Sequence, residues 1–304
     1  MRIGLHAPQL GRAVTPDLVI EIARQAEQVG FSDLWFSDHV AVPVEGGMPS
    51  FFPEPIPLMS VAAAHTERIG LGTSVLVPAY RNPMHLAKQW ATLDWVAPGR
   101  TVLGVGAGWL EEEFRACGVN PKRRGARLDD YIQGWRELWS GGSAYAGEFF
   151  SFQDVAVKPR PQAPVPVWIG GSSSTAIRRA AWCDGWHPTW APVGVFAENL
   201  RTLRAEISAL GRSDDEVTVS MHMEVRVGDD TPPAGYWSEA GDSHGAGDVQ
   251  TGSVARICET LERYAAVGLE HVVLTPQCHS ADEWREHVGA LAELLPRLSG
   301  ASRP

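Results

Sequence analysis

The segment IGLHAPQLGRAVTPDLVIEIARQAEQVGFSDLWFS, residues 3–37, holds one complete strand–helix–strand unit and decides how the rest of the chain is read. Ile3 to Ala7 is a short apolar run. Thr15 then stands as a helix cap with Pro16 at the first helical position, where no backbone N–H is needed. Leu18, Ile22, Ala26 and Val29 recur at helical spacing until Gly30 ends the helix, and Asp33 to Ser37 begins a second strand. A helix joining two apolar strands is the crossover that a parallel sheet requires.

The same alternation continues outward. Ile69 to Val77 reads as the third strand and leads to a helix opened by Asn82-Pro83, with Leu86, Trp90 and Leu93 on its inner side. Thr101 to Val105 is the fourth strand, followed by a helical stretch from Leu128 to Trp139. Val167 to Ile169, Gly185 to His187, Val217 to Arg226 and His271 to Leu274 supply four more, separated by helices from about Thr175, Val195 and Ser253; the last helix spans roughly Ser280 to Leu298. Eight strands and eight main helices make an α/β (β/α)8 TIM barrel over residues 1–304, a length that suits a fold needing about 250 residues. An open doubly wound sheet would carry its phosphate-binding glycines after the first strand, and His6-Ala7-Pro8-Gln9-Leu10-Gly11 is no GxGxxG. Three insertions interrupt the barrel, at about 40–57, 141–157 and 228–250. The second reads as a small hairpin bearing Tyr145, Phe149, Phe150 and Phe152. The first and third, which includes Pro232-Pro233 and Tyr236-Trp237, follow strands and read as walls or lids of a pocket at the C-terminal mouth.

Composition removes several function classes. A net charge of -10 gives no basic field for a nucleic-acid backbone. Met1 to His6 runs into a strand with no signal-like apolar region, and no apolar run reaches the ~18 residues of a membrane span, so a cytoplasmic protein is expected. Cys117, Cys183, Cys258 and Cys278 are far apart and form no CxxC spacing, which reads as free thiols.

The candidate chemistry lies at strand ends. Trp35-Phe36-Ser37-Asp38-His39 closes the second strand with a carboxylate beside an imidazole; the imidazole can carry the proton that accompanies hydride transfer, and a neighbouring carboxylate can orient it. Gly70-Leu71-Gly72-Thr73-Ser74-Val75 has small residues that let a flat ring approach the backbone. The fourth strand runs into Gly104-Val105-Gly106-Ala107-Gly108-Trp109, then Glu111-Glu112-Glu113. The fifth ends in Gly170-Gly171-Ser172-Ser173 before a helix bearing Arg178 and Arg179, and free N–H groups and hydroxyls at a helix start suit a phosphate.

Taken with Lys158-Pro159-Arg160-Pro161, Pro166 to Gly171 and Asp184-Gly185-Trp186, these blocks resemble the luciferase-like monooxygenase superfamily, and within it the F420-dependent oxidoreductases. The resemblance implies a deazaflavin bound beside Asp38 and His39, with His39 as proton carrier. It also implies a cis peptide at Ser74–Val75 against one ring face, with Thr73 before it. Gly106, Ala107 and Gly108 would border the ring, and Gly170, Gly171, Ser172 and Ser173 would take the phosphate. Relatives in this superfamily are commonly dimers, so a homodimer is expected. Glucose-6-phosphate-oxidising members carry a tryptophan shortly after the Asp-His pair and a glutamate in the glycine turn. Here those stretches read Val40-Ala41-Val42-Pro43 and Ala107-Gly108-Trp109, which points to a small, more apolar substrate facing Trp109, Trp186, Trp190, Phe51 and Phe52.

Three rival readings use the same residues. An FMN-dependent monooxygenase shares the barrel. A metal-dependent hydrolase would need clustered ligands such as HxH on the first strand, and His6-Ala7-Pro8 offers one imidazole, with His187 and His222 completing no evident set, so no metal is expected. A non-catalytic flavin binder remains open because fold does not dictate activity.

Overall fold

A computed structural model describes residues 1–11, 14–43, 51–228 and 249–298. In chain order its strands are β1 (Arg2–His6), β2 (Asp33–Phe36), β3 (Gly70–Thr73), β4 (Thr101–Val105), β5 (Tyr145–Ala146), β6 (Ser151–Phe152), β7 (Val167–Gly170), β8 (Gly185–His187), β9 (Thr218–Val227), β10 (Gln250–Gly252) and β11 (His271–Pro276). Eight of them close a parallel barrel in the order β1, β2, β3, β4, β7, β8, β9, β11 and back to β1. The short β10 adds outside this ring on the far end of β9, with Gln250 opposite Val225 and Gly252 opposite Val227. The expected (β/α)8 barrel is the observed one.

The helices are α1 (Pro16–Val29), α2 (Pro55–His65), α3 (Pro83–Val96), α4 (Glu111–Ala116), α5 (Arg124–Ser140), α6 (Ser174–Ala181), α7 (Val193–Ala209), α8 (Val254–Val267), α9 (Ala281–Ala292) and α10 (Leu294–Leu298). Their starts follow the caps. The Thr15 hydroxyl accepts from the Leu18 N–H, and Asn82, Ser173, Ser253 and Ser280 do the same for α3, α6, α8 and α9. Gly30 ends α1 at φ 100°, a left-handed conformation suited to glycine.

Three boundaries depart from the sequence reading. The loop expected over 40–57 ends at Glu54, whose carboxylate caps α2; Pro55 and Pro57 sit in the first turn, where proline is tolerated. Residues 44–50 of that loop, and 229–248 of the third insertion with Tyr236-Trp237, lie outside the described residues. The third strand stops at Thr73 rather than Val77, because a cis peptide at Ser74–Val75 turns the chain before Leu76 rejoins the sheet opposite Val105. The final helix breaks at Glu293 into α9 and α10. The hairpin of 141–157 is present as β5 and β6, tied to α5 by Asp130, which accepts from the Tyr145 hydroxyl and from the Phe149 and Phe150 N–H groups.

Inside the barrel two indoles fill the cross-section. Trp35 of β2 and Trp168 of β7 pack at 5.1 Å between ring centroids, with Val273 beside them. Glycines make the room: a Cβ on Gly72 would lie 2.6 Å from the Trp35 ring, and one on Gly185 2.5 Å from that of Trp168. This aromatic plug carries the polar groups at the C-terminal mouth above it.

Candidate functional site

A cavity of about 1000 Å³ opens at that mouth. Its lining brings together Ser37, Asp38 and His39 after β2, Ser74 and Val75 after β3, Gly106 to Trp109 after β4, and Gly170, Gly171 and Ser173 after β7. Four strand ends therefore meet around one space, as the blocks along the sequence suggested.

The seat at its floor is built around Val75. A Cβ added to Gly106 would come within 2.8 Å of the Val75 side chain, and one on Gly170 within 2.9 Å. A Cβ on Gly104 would strike the Thr73 carbonyl at 1.8 Å. These glycines are spaced as they are because the Ser74–Val75 bulge occupies the volume their side chains would need. The bulge is pinned from both sides: the Thr73 hydroxyl donates to the Gly104 carbonyl (2.7 Å), and Ser37 Oγ donates to the Ser74 carbonyl (3.0 Å).

His39 is held by Glu113, not by Asp38. His39 Nδ1 donates to Glu113 Oε2 at 3.0 Å, while Glu113 Oε1 accepts from the Val40 and Ala41 N–H groups at 2.7 and 3.2 Å. Burial would raise the Glu113 pKa, but the imidazole and the two N–H donors outweigh it and the net direction is down. A carboxylate that accepts Nδ1–H leaves Nε2 as the His39 nitrogen with a free lone pair and fixes the orientation of the ring. Phe52 and Trp109 stand edge-on to the imidazole at 5.0 and 6.2 Å.

Asp38 points elsewhere. Its carboxylate is gripped by Arg81 through two hydrogen bonds of 2.7 Å and accepts the Val77 N–H at 2.8 Å, and Arg81 reaches on to Glu54. It ties the loop after β3 to the start of α2. Gln9 adds a second tie, donating to the Ser37 and Pro53 carbonyls and accepting the Ser37 N–H.

Several expected site residues take other positions. Thr73 is fully buried behind the bulge and does not line the cavity. Trp186 faces outward from the barrel, stacked on Phe196 at 5.3 Å; its indole N–H donates to the Gly171 carbonyl, so it braces the loop instead of walling the pocket. Phe51 is exposed, and Phe52 meets the site only through His39. Ser172 is exposed and off the lining, whereas Ser173 caps α6. Trp109 and Trp190 do line the cavity.

The sequence reading missed Glu113, Arg81, Gln9 and the basic rim of Lys122, Arg123 and Arg124. Glu111, Glu112 and Glu113 look alike in sequence; helix phase alone turns Glu113 inward with Phe114 and leaves the other two exposed. No group of three or more His, Cys, Asp or Glu among the described residues could hold a metal ion. Among them, too, no helix is long and apolar enough to cross a membrane, and the four cysteines are free.

The chain is similar to several known proteins. An F420-dependent glucose-6-phosphate dehydrogenase of Microbacterium testaceum is 29% identical, over 93% of this chain and 94% of its own. Among solved structures, an F420-dependent secondary alcohol dehydrogenase in complex with an F420-acetone adduct superposes with a TM-score of 0.83 at 19% identity, covering 97% of this chain and 98% of that one. A monooxygenase from Streptomyces bottropensis superposes with a TM-score of 0.82 at 20% identity, over 99% of this chain and all of its own (100%). The family described as luciferase-like monooxygenase matches residues 2–275, nearly the whole barrel, and the chain belongs to that family.

Proposed function

We propose that the protein is an F420-dependent oxidoreductase that moves a hydride between the deazaflavin and a small, largely apolar organic substrate. The observation that carries this reading is the His39–Glu113 pair on the wall of a cavity whose floor is the Val75 bulge. Hydride transfer between an alcohol and a carbonyl needs one proton carrier, and an imidazole braced by a buried carboxylate is suited to that task.

The residues fit the cofactor. Gly106 and Gly170 leave a surface with no side chains around Val75, against which a flat ring can lie. Ser173, with Gly171 and the start of α6, offers donors for a phosphate, and Lys122, Arg123 and Arg124 supply cationic charge for an anionic tail. Bound F420 would accept or supply the hydride. Trp109, Trp190 and Phe52 would shield the reacting groups from water, and His39 would hold or release the proton at Nε2. The same reading takes residues 1–304 as one catalytic unit and expects a cytoplasmic homodimer, which light scattering and cell fractionation test.

Titration of the purified protein with F420 and with FMN, followed by F420H2 oxidation screened against carbonyl, unsaturated and quinone-like compounds, decides the matter. F420 binding with turnover of one class supports the proposal. Tight FMN binding without F420 binding overturns it in favour of a flavin monooxygenase, and turnover unaffected by His39→Ala removes His39 from its role.

A further inference from the structure

Below the cavity floor an unbroken row of hydrogen bonds enters the barrel. Ser74 Oγ lies 2.9 Å from His187 Nε2; His187 Nδ1 lies 2.7 Å from Ser220 Oγ; Ser220 Oγ lies 2.7 Å from His271 Nδ1; and His271 Nε2 lies 2.9 Å from Asp33 Oδ1. His187, Ser220 and His271 are buried, and Trp35 covers them, its ring 4.9 Å from His187 and 5.6 Å from His271. Only Ser74 faces the cavity. The site described above uses none of the four groups beneath it.

With His187 kept neutral by its burial, donor and acceptor rules leave this row two arrangements. The Asp33 carboxylate only accepts, so His271 Nε2 carries a hydrogen. With His271 neutral, its Nδ1 accepts from Ser220, Ser220 accepts from His187 Nδ1–H, and His187 Nε2 accepts from Ser74. Ser74 then offers only lone pairs to the cavity. With one more proton on His271 its bond to Asp33 is unchanged, the other three bonds reverse, and Ser74 offers its hydrogen instead.

We infer that Ser74, His187, Ser220 and His271 form a proton wire, by which an N–H or O–H group of the molecule bound on the floor exchanges one proton with the His271–Asp33 pair. The step balances without a co-reactant. The bound group's X–H bond breaks as Ser74 Oγ takes its proton; Ser74 gives its own to His187 Nε2, His187 gives Nδ1–H to Ser220, and Ser220 gives its own to His271 Nδ1. No electrons are transferred, and the net change is an anion on the floor and an imidazolium beside Asp33. Burial holds His187 well toward its neutral form, and the attraction of His271 with its hydrogen bond keeps the Asp33 carboxyl below its usual range despite burial. Charge therefore comes to rest at the far end of the row rather than in its middle. The other titratable groups facing the wire are His6 and His222, stacked on each other at 6.0 Å.

The test needs no cofactor, so it stands apart from the reading under Proposed function. Long-range 1H–15N spectra of the full-length, histidine-labelled protein are recorded across about pH 5 to 9, with Ser74→Ala and Ser220→Ala assigning the two imidazoles. As His271 gains its proton, His187 is expected to change from the Nδ1–H to the Nε2–H tautomer while staying neutral. Ser220→Ala is expected to abolish that coupling. A single His187 tautomer throughout the range, or coupling that survives Ser220→Ala, overturns the wire; should Ser220→Ala fail to fold, the wild-type spectra decide alone. Failure of F420 to bind would remove the cofactor assignment and leave this result unchanged.

Discussion

Gly106→Ala tests whether the floor is built around Val75. The new Cβ would stand 2.8 Å from Val75 Cγ2, about 1 Å inside ordinary carbon–carbon contact. Val75 is β-branched and stiff about its first torsion, so it cannot swing aside cheaply, and the bulge itself must move. Overpacking of this kind costs about 1–3 kcal/mol. For a chain of this size that lowers the melting temperature by roughly 1.5–5 °C. Val75→Ala removes the methyl in the way, at a cost of about 1 kcal/mol of its own. In that background Gly106→Ala should cost under about 0.5 kcal/mol, giving a coupling energy of about 1–2 kcal/mol from the four melting curves. The double-mutant cycle by calorimetry or denaturant titration measures this directly. Equal costs for Gly106→Ala in both backgrounds would refute the idea that the glycines are spaced to seat Val75.

Glu113→Gln keeps an acceptor for His39 but removes the charge, and should lower kcat about 10- to 100-fold with little change in KM. The Glu113 pKa is lowered on folding, so its contribution to stability is present above the unfolded carboxyl pKa and is lost as pH falls through the folded value; the wild type should exceed Glu113→Gln in urea stability at neutral pH and lose that margin below about pH 4. Asp38→Asn leaves Arg81 half-paired in a buried setting and should cost about 3 kcal/mol by urea denaturation; no loss would mean the ion pair is idle. Lys122→Glu with Arg124→Glu should weaken F420 binding about tenfold in fluorescence titration at low salt, with the difference fading as salt rises.

The barrel was legible because each signal was local. Thr15-Pro16 and Gly30 bracket a helix through backbone rules that no tertiary contact overrode. The site was legible only to the level of which strand ends meet. Asp38 and His39 are adjacent in sequence, yet successive residues in extended chain point to opposite sides, so proximity along the chain sent Asp38 to Arg81 and left His39 to Glu113, far away in sequence. The same parity separates Trp186, which packs outward on Phe196, from His187, which points into the barrel. The wire is the extreme case. Its serines and histidines sit on four segments and look individually like ordinary core polar residues, and only closure of the barrel sets them in line.

The outlying strand β10 has an engineering consequence. By pairing with the end of β9, and through the Gly228 N–H donating to the Gly252 carbonyl at 3.1 Å, it fastens both ends of the third insertion side by side on the scaffold. A segment whose ends are already clasped can be exchanged or lengthened at small entropic cost, since closure depends only weakly on length. Positions 228 and 249 are thus natural splice points: a relative's loop joined between Gly228 and Val249 would leave β10 and the eight-stranded register untouched.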